Sequence, residues 1–240
     1  MQAIIMAAGT GSRLLNLTKS MPKAMVKVCE RELIRYVMDF LDNERISKKI
    51  LVTGFANETI ESLVRKEFPE TTIAHNPDFR LGNILSLKKA LPLVDDDMLL
   101  MNADHIYPRR MFPYILKNVD GVTAICDFDR ILGEDDMKVR LNHRGQLCAI
   151  DKKLLQFDCG YIGMTFCPRE SLTAYKEAVA SVIREKGNSA CAENVLAWLG
   201  ARSFEINICD ASGMRWLEVD TQEDLARAEE SIKQNEGLLR

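Results

Sequence analysis

The stretch from Ala3 to Lys23 constrains this chain more than any other, because an apolar run of strand length gives way to a glycine loop carrying two cations. Ala3-Ile4-Ile5-Met6-Ala7-Ala8 reads as a strand buried on both faces. Gly9-Thr10-Gly11-Ser12 then lets the backbone turn tightly with its N–H groups inward, an arrangement that cradles phosphate oxygens. Arg13 and Lys23, expected on an exposed loop, neutralise the remaining charge, so the segment suits a nucleoside triphosphate. Two commoner phosphate loops fail on the same residues. A dinucleotide fingerprint needs a third glycine where Leu14 stands, and a Walker loop needs Gly-Lys-Ser/Thr, which is absent.

Beyond this loop, short apolar strands alternate with helical spacing, the pattern of parallel strands joined by crossover helices. An α/β fold is expected, with a Rossmann-like, mixed but mostly parallel sheet flanked by helices. Strands are expected at 3–7, 49–54, 71–75 and 98–102, and helices at 33–41, 59–68 and 84–91, with Asn57 as an N-cap. From Gly121 the pattern changes to strands at 122–126, 137–141, 147–150 and 159–166, with Asn142-His143-Arg144-Gly145 as a hairpin turn. This reads as an antiparallel, acceptor-holding excursion over about 121–166. Helices at 171–185 and 192–199, a strand at 204–208, and a helix from about Gln222 follow, the last with Thr221 and Asp224 at capping-box spacing. With 240 residues, 47% of them hydrophobic, and no Pro-, Gly- or Ser-rich linker, one domain over 1–240 is expected.

The 32 basic and 35 acidic residues form no long block of either sign, which argues against a nucleic-acid or anionic-membrane surface. No apolar run approaches the ~20 residues that span a bilayer, and no basic leader precedes the first strand, so a cytoplasmic location is expected. The seven cysteines lack a Cys-x-x-Cys pair and read as reduced core residues. His75, His105 and His143 lie far apart, so no zinc site is expected.

Ligands in an open α/β sheet collect at the carboxyl ends of the strands, where acidic residues become metal candidates. Asp104 follows an apolar run ending in Asn102-Ala103, and Asp220 follows Trp216-Leu217-Glu218-Val219. Together they suit one Mg²⁺ held against a triphosphate. Taken singly, each also reads as a turn or N-cap aspartate.

Ala7-Ala8-Gly9-x-Gly11-x-Arg13-Leu14 with Pro22-Lys23-Ala24 resembles the signature of the nucleotidyltransferases that join a nucleoside triphosphate to a phosphorylated small molecule. Asn102-Ala103-Asp104-His105 and Val219-Asp220-Thr221-x-Glu223-Asp224 are similar to that family's two metal-binding segments. The resemblance therefore implies Asp104 and Asp220 as Mg²⁺ ligands, with Glu218 as a third candidate. Asn76-Pro77 and Gly82-Asn83-Ile84-Leu85-Ser86-Leu87 resemble the base-reading segments of bacterial phosphocholine and archaeal inositol-1-phosphate cytidylyltransferases. This implies CTP, with Asn76, Gly82, Asn83 and Ser86 near the base and Gly82 allowing close approach to the ring. The same run also reads as an N-capped helix with Leu85 and Leu87 in the core. The segments 136–140 and 150–160 resemble the inositol-1-phosphate type, and Lys152, Asp158 and Glu193 are the acceptor candidates. Lys152 also reads as a solvated hairpin lysine and Glu193 as an exposed helix residue.

The implied reaction is an in-line displacement at the α-phosphorus of CTP by a small phosphorylated or phosphonylated alcohol, releasing pyrophosphate. Arg13 would hold the departing phosphates and Lys23 would bridge the reacting ones, with no protein nucleophile. Two other readings stay open: a sugar-1-phosphate uridylyl- or guanylyltransferase, and a non-catalytic nucleotide-binding regulatory subunit. The sequence leaves the oligomeric state, including a homodimer, undetermined.

Overall fold

The computed structural model describes residues 1–235, 237 and 239. In chain order the strands are β1 (Gln2–Met6), β2 (Lys27–Val28), β3 (Arg31–Glu32), β4 (Lys48–Thr53), β5 (Thr72–His75), β6 (Met98–Asn102), β7 (His105–Ile106), β8 (Val122–Asp127), β9 (Lys138–Leu141), β10 (Leu147–Asp151), β11 (Cys159–Cys167), β12 (Ile206–Asp210) and β13 (Leu217–Glu218). The α-helices are α1 (Leu33–Phe40), α2 (Asn57–Glu67), α3 (Ile84–Ala90), α4 (Met111–Asn118), α5 (Leu172–Lys186), α6 (Asn194–Gly200) and α7 (Gln222–Gln234).

Among the described residues, one sheet of nine strands carries the fold. β1 lies between β4 and β6, parallel to both, and β5 continues the parallel half beside β4. Strand alternation sends the side chains of β1 to two separate cores. Ile4 packs with Ile50, Val52 and Leu100 against α3, α5 and α6. Ala3 and Ile5 pack with Leu51, Leu99 and Met101 against α1, α2 and α4. Burial on both faces is why this strand reads as a continuous apolar run, each fully buried Ile or Leu contributing ~1.5–3 kcal/mol.

The stretch expected as an added excursion is built into the same sheet. β11 runs antiparallel to β6 on one side and to β8 on the other, and β12 joins β8 in parallel. The β9–β10 hairpin extends the same sheet, β9 pairing antiparallel with β11 and with β10. Its turn forms as expected, with the Asn142 side chain accepting from the Arg144 and Gln146 backbones at 2.8 and 3.0 Å. The α7 capping box forms too, Thr221 accepting from the Asp224 amide and Asp224 from the Thr221 amide.

One local expectation fails, and one helix was not foreseen. Asn57 is the first residue of α2 rather than its cap; Ala56, at φ 45°, holds the cap position, and Asn57 donates instead to Glu61 at 2.9 Å. α4 carries Pro113 in its first turn, where a proline costs no helical hydrogen bond, and the sequence pattern does not announce it. All seven cysteines are free. Among the described residues no helix is long and apolar enough to cross a membrane.

Candidate active site

The loop after β1 opens into a cleft of about 970 Å³. Ala7 and Ala8 stay in the core, and the chain then emerges at Gly9, whose α-carbon has open space around it. Gly11 is required on two counts. Its φ is +63°, and a Cβ there would lie 2.9 Å from the Cβ of Lys23. Thr10 is half-buried, Ser12 is exposed, and Thr18 ties the turn by donating to the Gly11 carbonyl at 2.7 Å.

A short ribbon explains how Asp104 and Asp220 meet. β13 pairs antiparallel with β7, setting Glu218 opposite His105, and the Val219 amide donates to the Asp104 carbonyl at 3.0 Å. The α7 cap fixes the next residue, because Asp224 also accepts from the Asp220 amide at 3.2 Å. Both carboxylates then converge on Lys23, whose Nζ donates to Asp104 Oδ2 and to Asp220 Oδ1 at 2.6 Å each. Arg13 pairs with Asp220 and, at 3.1 Å, with Asp135.

Lys23 is therefore not the exposed loop lysine expected from the sequence; it is buried, 9% exposed, within an ion-pair cluster. Burial alone would lower its pKa, but the two aspartates outweigh it and raise the group above its ordinary value. For Asp104, burial pushes the carboxyl up, yet the Lys23 ammonium and the His105 ring hold it well below the usual carboxylate range. Asp104 is thus ionised at neutral pH and can only accept, so His105 Nδ1 donates to its Oδ1 at 2.6 Å. Two oxygen donors focused on one cation fit Mg²⁺, which takes one or two carboxylates and fills its other positions with water or phosphate oxygens.

One group of neighbours was not legible in the sequence. His105 is stacked between Tyr107 and Trp216, with ring centroids 5.6 and 5.4 Å away. Arg130 lies 4.4 Å over the Trp216 ring and pairs with Glu218 at 3.1 Å. Glu218 is thereby turned toward His105 and Arg130, while Asp220 is the carboxylate that joins Asp104 at Lys23. The single sequence signal for this stack is the histidine directly after Asp104.

The expected base-reading segment is tied into the protein's own chain. Asn76 and Ser86 are buried and bond one another, Asn76 Nδ2 donating to Ser86 Oγ at 2.9 Å. The close approach at Gly82 is made to the protein's own chain: its amide donates to the Asn188 carbonyl at 2.7 Å, and a Cβ would lie 1.9 Å from the Ala190 carbonyl oxygen. Asn83 lines the cleft, but its Oδ1 accepts from the Ala192 amide at 2.8 Å. Gly82→Ala is accordingly expected to displace the 188–192 segment and lower stability by roughly 1–3 kcal/mol; an unchanged melting temperature would show that the segment yields freely.

Among the acceptor candidates, Lys152 and Glu193 line the cleft. Asp158 does not join them: it sits beside the β9–β10 hairpin and accepts from the Leu141 amide at 2.7 Å, as a short polar side chain at a strand end commonly does.

The nucleotidyl transferase family model matches residues 2–125, which hold the glycine loop, Lys23 and Asp104. The bifunctional IPC transferase and DIPP synthase of Rubrobacter xylanophilus is 26% identical over 235 residues, covering 96% of this chain and 51% of that protein. The chain spans about half the length of the curated relatives of this kind that it matches. The inositol-1-phosphate CTP transferase of T. maritima shares the fold with a TM-score of 0.78 at 21% identity, over 97% of this chain and 96% of that one. So does the CTP:phosphocholine cytidylyltransferase of Streptococcus pneumoniae, with a TM-score of 0.79 at 21% identity over 96% and 98%. At that identity the two structures speak to architecture alone. With more than half of its residues matched by the family model, the chain belongs to the nucleotidyl transferase family.

Proposed function

We propose that the protein is a Mg²⁺-dependent cytidylyltransferase that moves CMP from CTP to a compact phosphorylated or phosphonylated alcohol and releases pyrophosphate. The observation that carries this reading is the meeting of Arg13, Lys23, Asp104 and Asp220 at one end of the cleft, beside the glycine loop. The glycine-loop amides and Arg13 hold the β- and γ-phosphates. Lys23, between the loop and the two aspartates, follows the charge that develops on the reacting phosphates. Asp104 and Asp220 would hold Mg²⁺, which when bound supplies charge neutralisation at those phosphates. The acceptor oxygen is already anionic at neutral pH, so positioning rather than a general base is the protein's task.

CTP as donor is supported by the name of a relative 41% identical over 66 residues, the choline-phosphate cytidylyltransferase of Streptococcus pneumoniae. Pyrophosphate release with each of the four nucleoside triphosphates, against phosphorylated and phosphonylated alcohols and hexose 1-phosphates, tests it. CTP is expected to exceed UTP and GTP by at least ~100-fold in kcat/KM, since a site bonded to one base leaves polar groups unpaired with another. Equal rates with CTP and UTP would overturn the choice of base, and a hexose 1-phosphate as best acceptor would overturn the acceptor class.

A further inference from the structure

The two metal candidates are held in different ways. Asp220 is placed through its backbone amide by the α7 cap, whereas Asp104 is gripped through its side chain by His105. Resting on the reading of Asp104 as a Mg²⁺ ligand, we propose that His105 is a positioning residue: its Nδ1–H engages one oxygen of Asp104 so that the other is presented to the cation.

An aspartate carboxylate turns easily about its terminal bond, so its two oxygens can exchange places or both face one cation. Here they have different partners. His105 Nδ1 donates to Oδ1, while Oδ2 shares the Lys23 ammonium with Asp220 Oδ1. With Oδ1 engaged, Asp104 is set to contribute a single oxygen. That mode suits a small octahedral cation that keeps its other positions for water and phosphate.

The imidazole is itself held on every side. Tyr107 and Trp216 stack on its two faces at interplanar angles of 17° and 14°. Both of those rings are anchored by buried hydrogen bonds, Tyr107 Oη donating to the Ile162 carbonyl and Trp216 Nε1 to Asp127 Oδ2, each at 2.7 Å. Gly163, at φ +73°, closes a third side: a Cβ there would lie 3.2 Å from His105 Cε1 and 2.6 Å from Asn102 Nδ2. On the remaining edge Nε2 faces Glu218 at 3.9 Å, and Arg130 holds that carboxylate in turn. An apolar side chain would fill the same space without burying a donor, so packing alone does not call for histidine here. What the ring adds is one N–H aimed at one oxygen of Asp104. Groups that orient a metal ligand in this way are typically worth ~10–100-fold in metal affinity.

The test compares two substitutions that both remove the ring. His105→Asn carries an amide N–H as many bonds from Cα as Nδ1 and can donate to Asp104, whereas His105→Leu cannot. Mn²⁺ binding to the protein without nucleotide is read from the loss of the free-ion EPR signal, and the Mg²⁺ concentration for half-maximal pyrophosphate release is read beside it. His105→Leu is expected to weaken both by ~10–100-fold, and His105→Asn to stay within ~3-fold of the parent. Both variants lose the stack, so the difference between them reads the hydrogen bond. A measurement on the parent needs no variant to fold: ¹⁵N spectra of its three histidines are expected to keep His105 Nδ1 protonated as Mg²⁺ is added. Unchanged Mn²⁺ affinity in His105→Leu, equal losses in the two variants, or an Nδ1 without its proton in the Mg²⁺-loaded protein would overturn the positioning role and leave Asp104 as a ligand. Mn²⁺ binding that Asp104→Asn leaves unchanged would instead remove the reading on which the proposal rests.

Discussion

Lys23→Ala is expected to lower turnover by at least ~100-fold, the scale on which a single charge contact to a transition state is felt. The same change should also cost roughly 3 kcal/mol of stability, because it removes the ammonium that two carboxylates share and leaves Asp220 to Arg13 and Asp104 to His105. The lower end of the range for a broken buried pair applies, since the Asp104 and Asp220 side chains keep 24% and 26% of their surface in solvent. Pyrophosphate release at saturating substrates measures the first effect and urea denaturation the second. Near-normal turnover would take Lys23 out of the reaction. A variant as stable as the parent would show that the aspartates tolerate each other without it.

Asp104→Asn and Asp220→Asn should each abolish most Mg²⁺-stimulated turnover, again by ~100-fold or more, because an amide cannot supply the charge that holds a hard cation. Here the fold is expected to persist, as Lys23 retains the other aspartate as its partner. Turnover followed across a Mg²⁺ titration, with a chelated blank, separates lost metal affinity from lost chemistry. Full activity in Asp220→Asn would transfer the second ligand to Glu218, against its present pairing with Arg130.

What could be read from the sequence, and what could not, divides by distance along the chain. The parallel half of the sheet was legible because Ala3, Ile4 and Ile5 are buried on both faces and so leave a local apolar signature. The convergence of Arg13, Asp104 and Asp220 was legible because each stands just past a glycine turn or a strand end, and the fold gathers such ends at one edge. The burial of Lys23 was hidden, since its partners lie 81 and 197 positions away. Gly82 shows the same limit: a glycine that gives close approach does not say what approaches, and here the Asn188–Ala190 backbone does. The β7–β13 ribbon, two residues on each side, is too short for any alternation to reveal.

That ribbon has a consequence for how the molecule is assembled. Asp220 reaches Lys23 across 197 positions, and it arrives only when β13 has docked on β7. Closing so long a loop adds little to the equilibrium cost, which grows only logarithmically with length, but contacts of such high separation form slowly. A partly folded chain can present its glycine loop, and even Asp104, before the second carboxylate is in place. Completion of the cluster is therefore tied to completion of folding, and a chain whose β13 has not docked has its glycine loop and Lys23 without the second carboxylate.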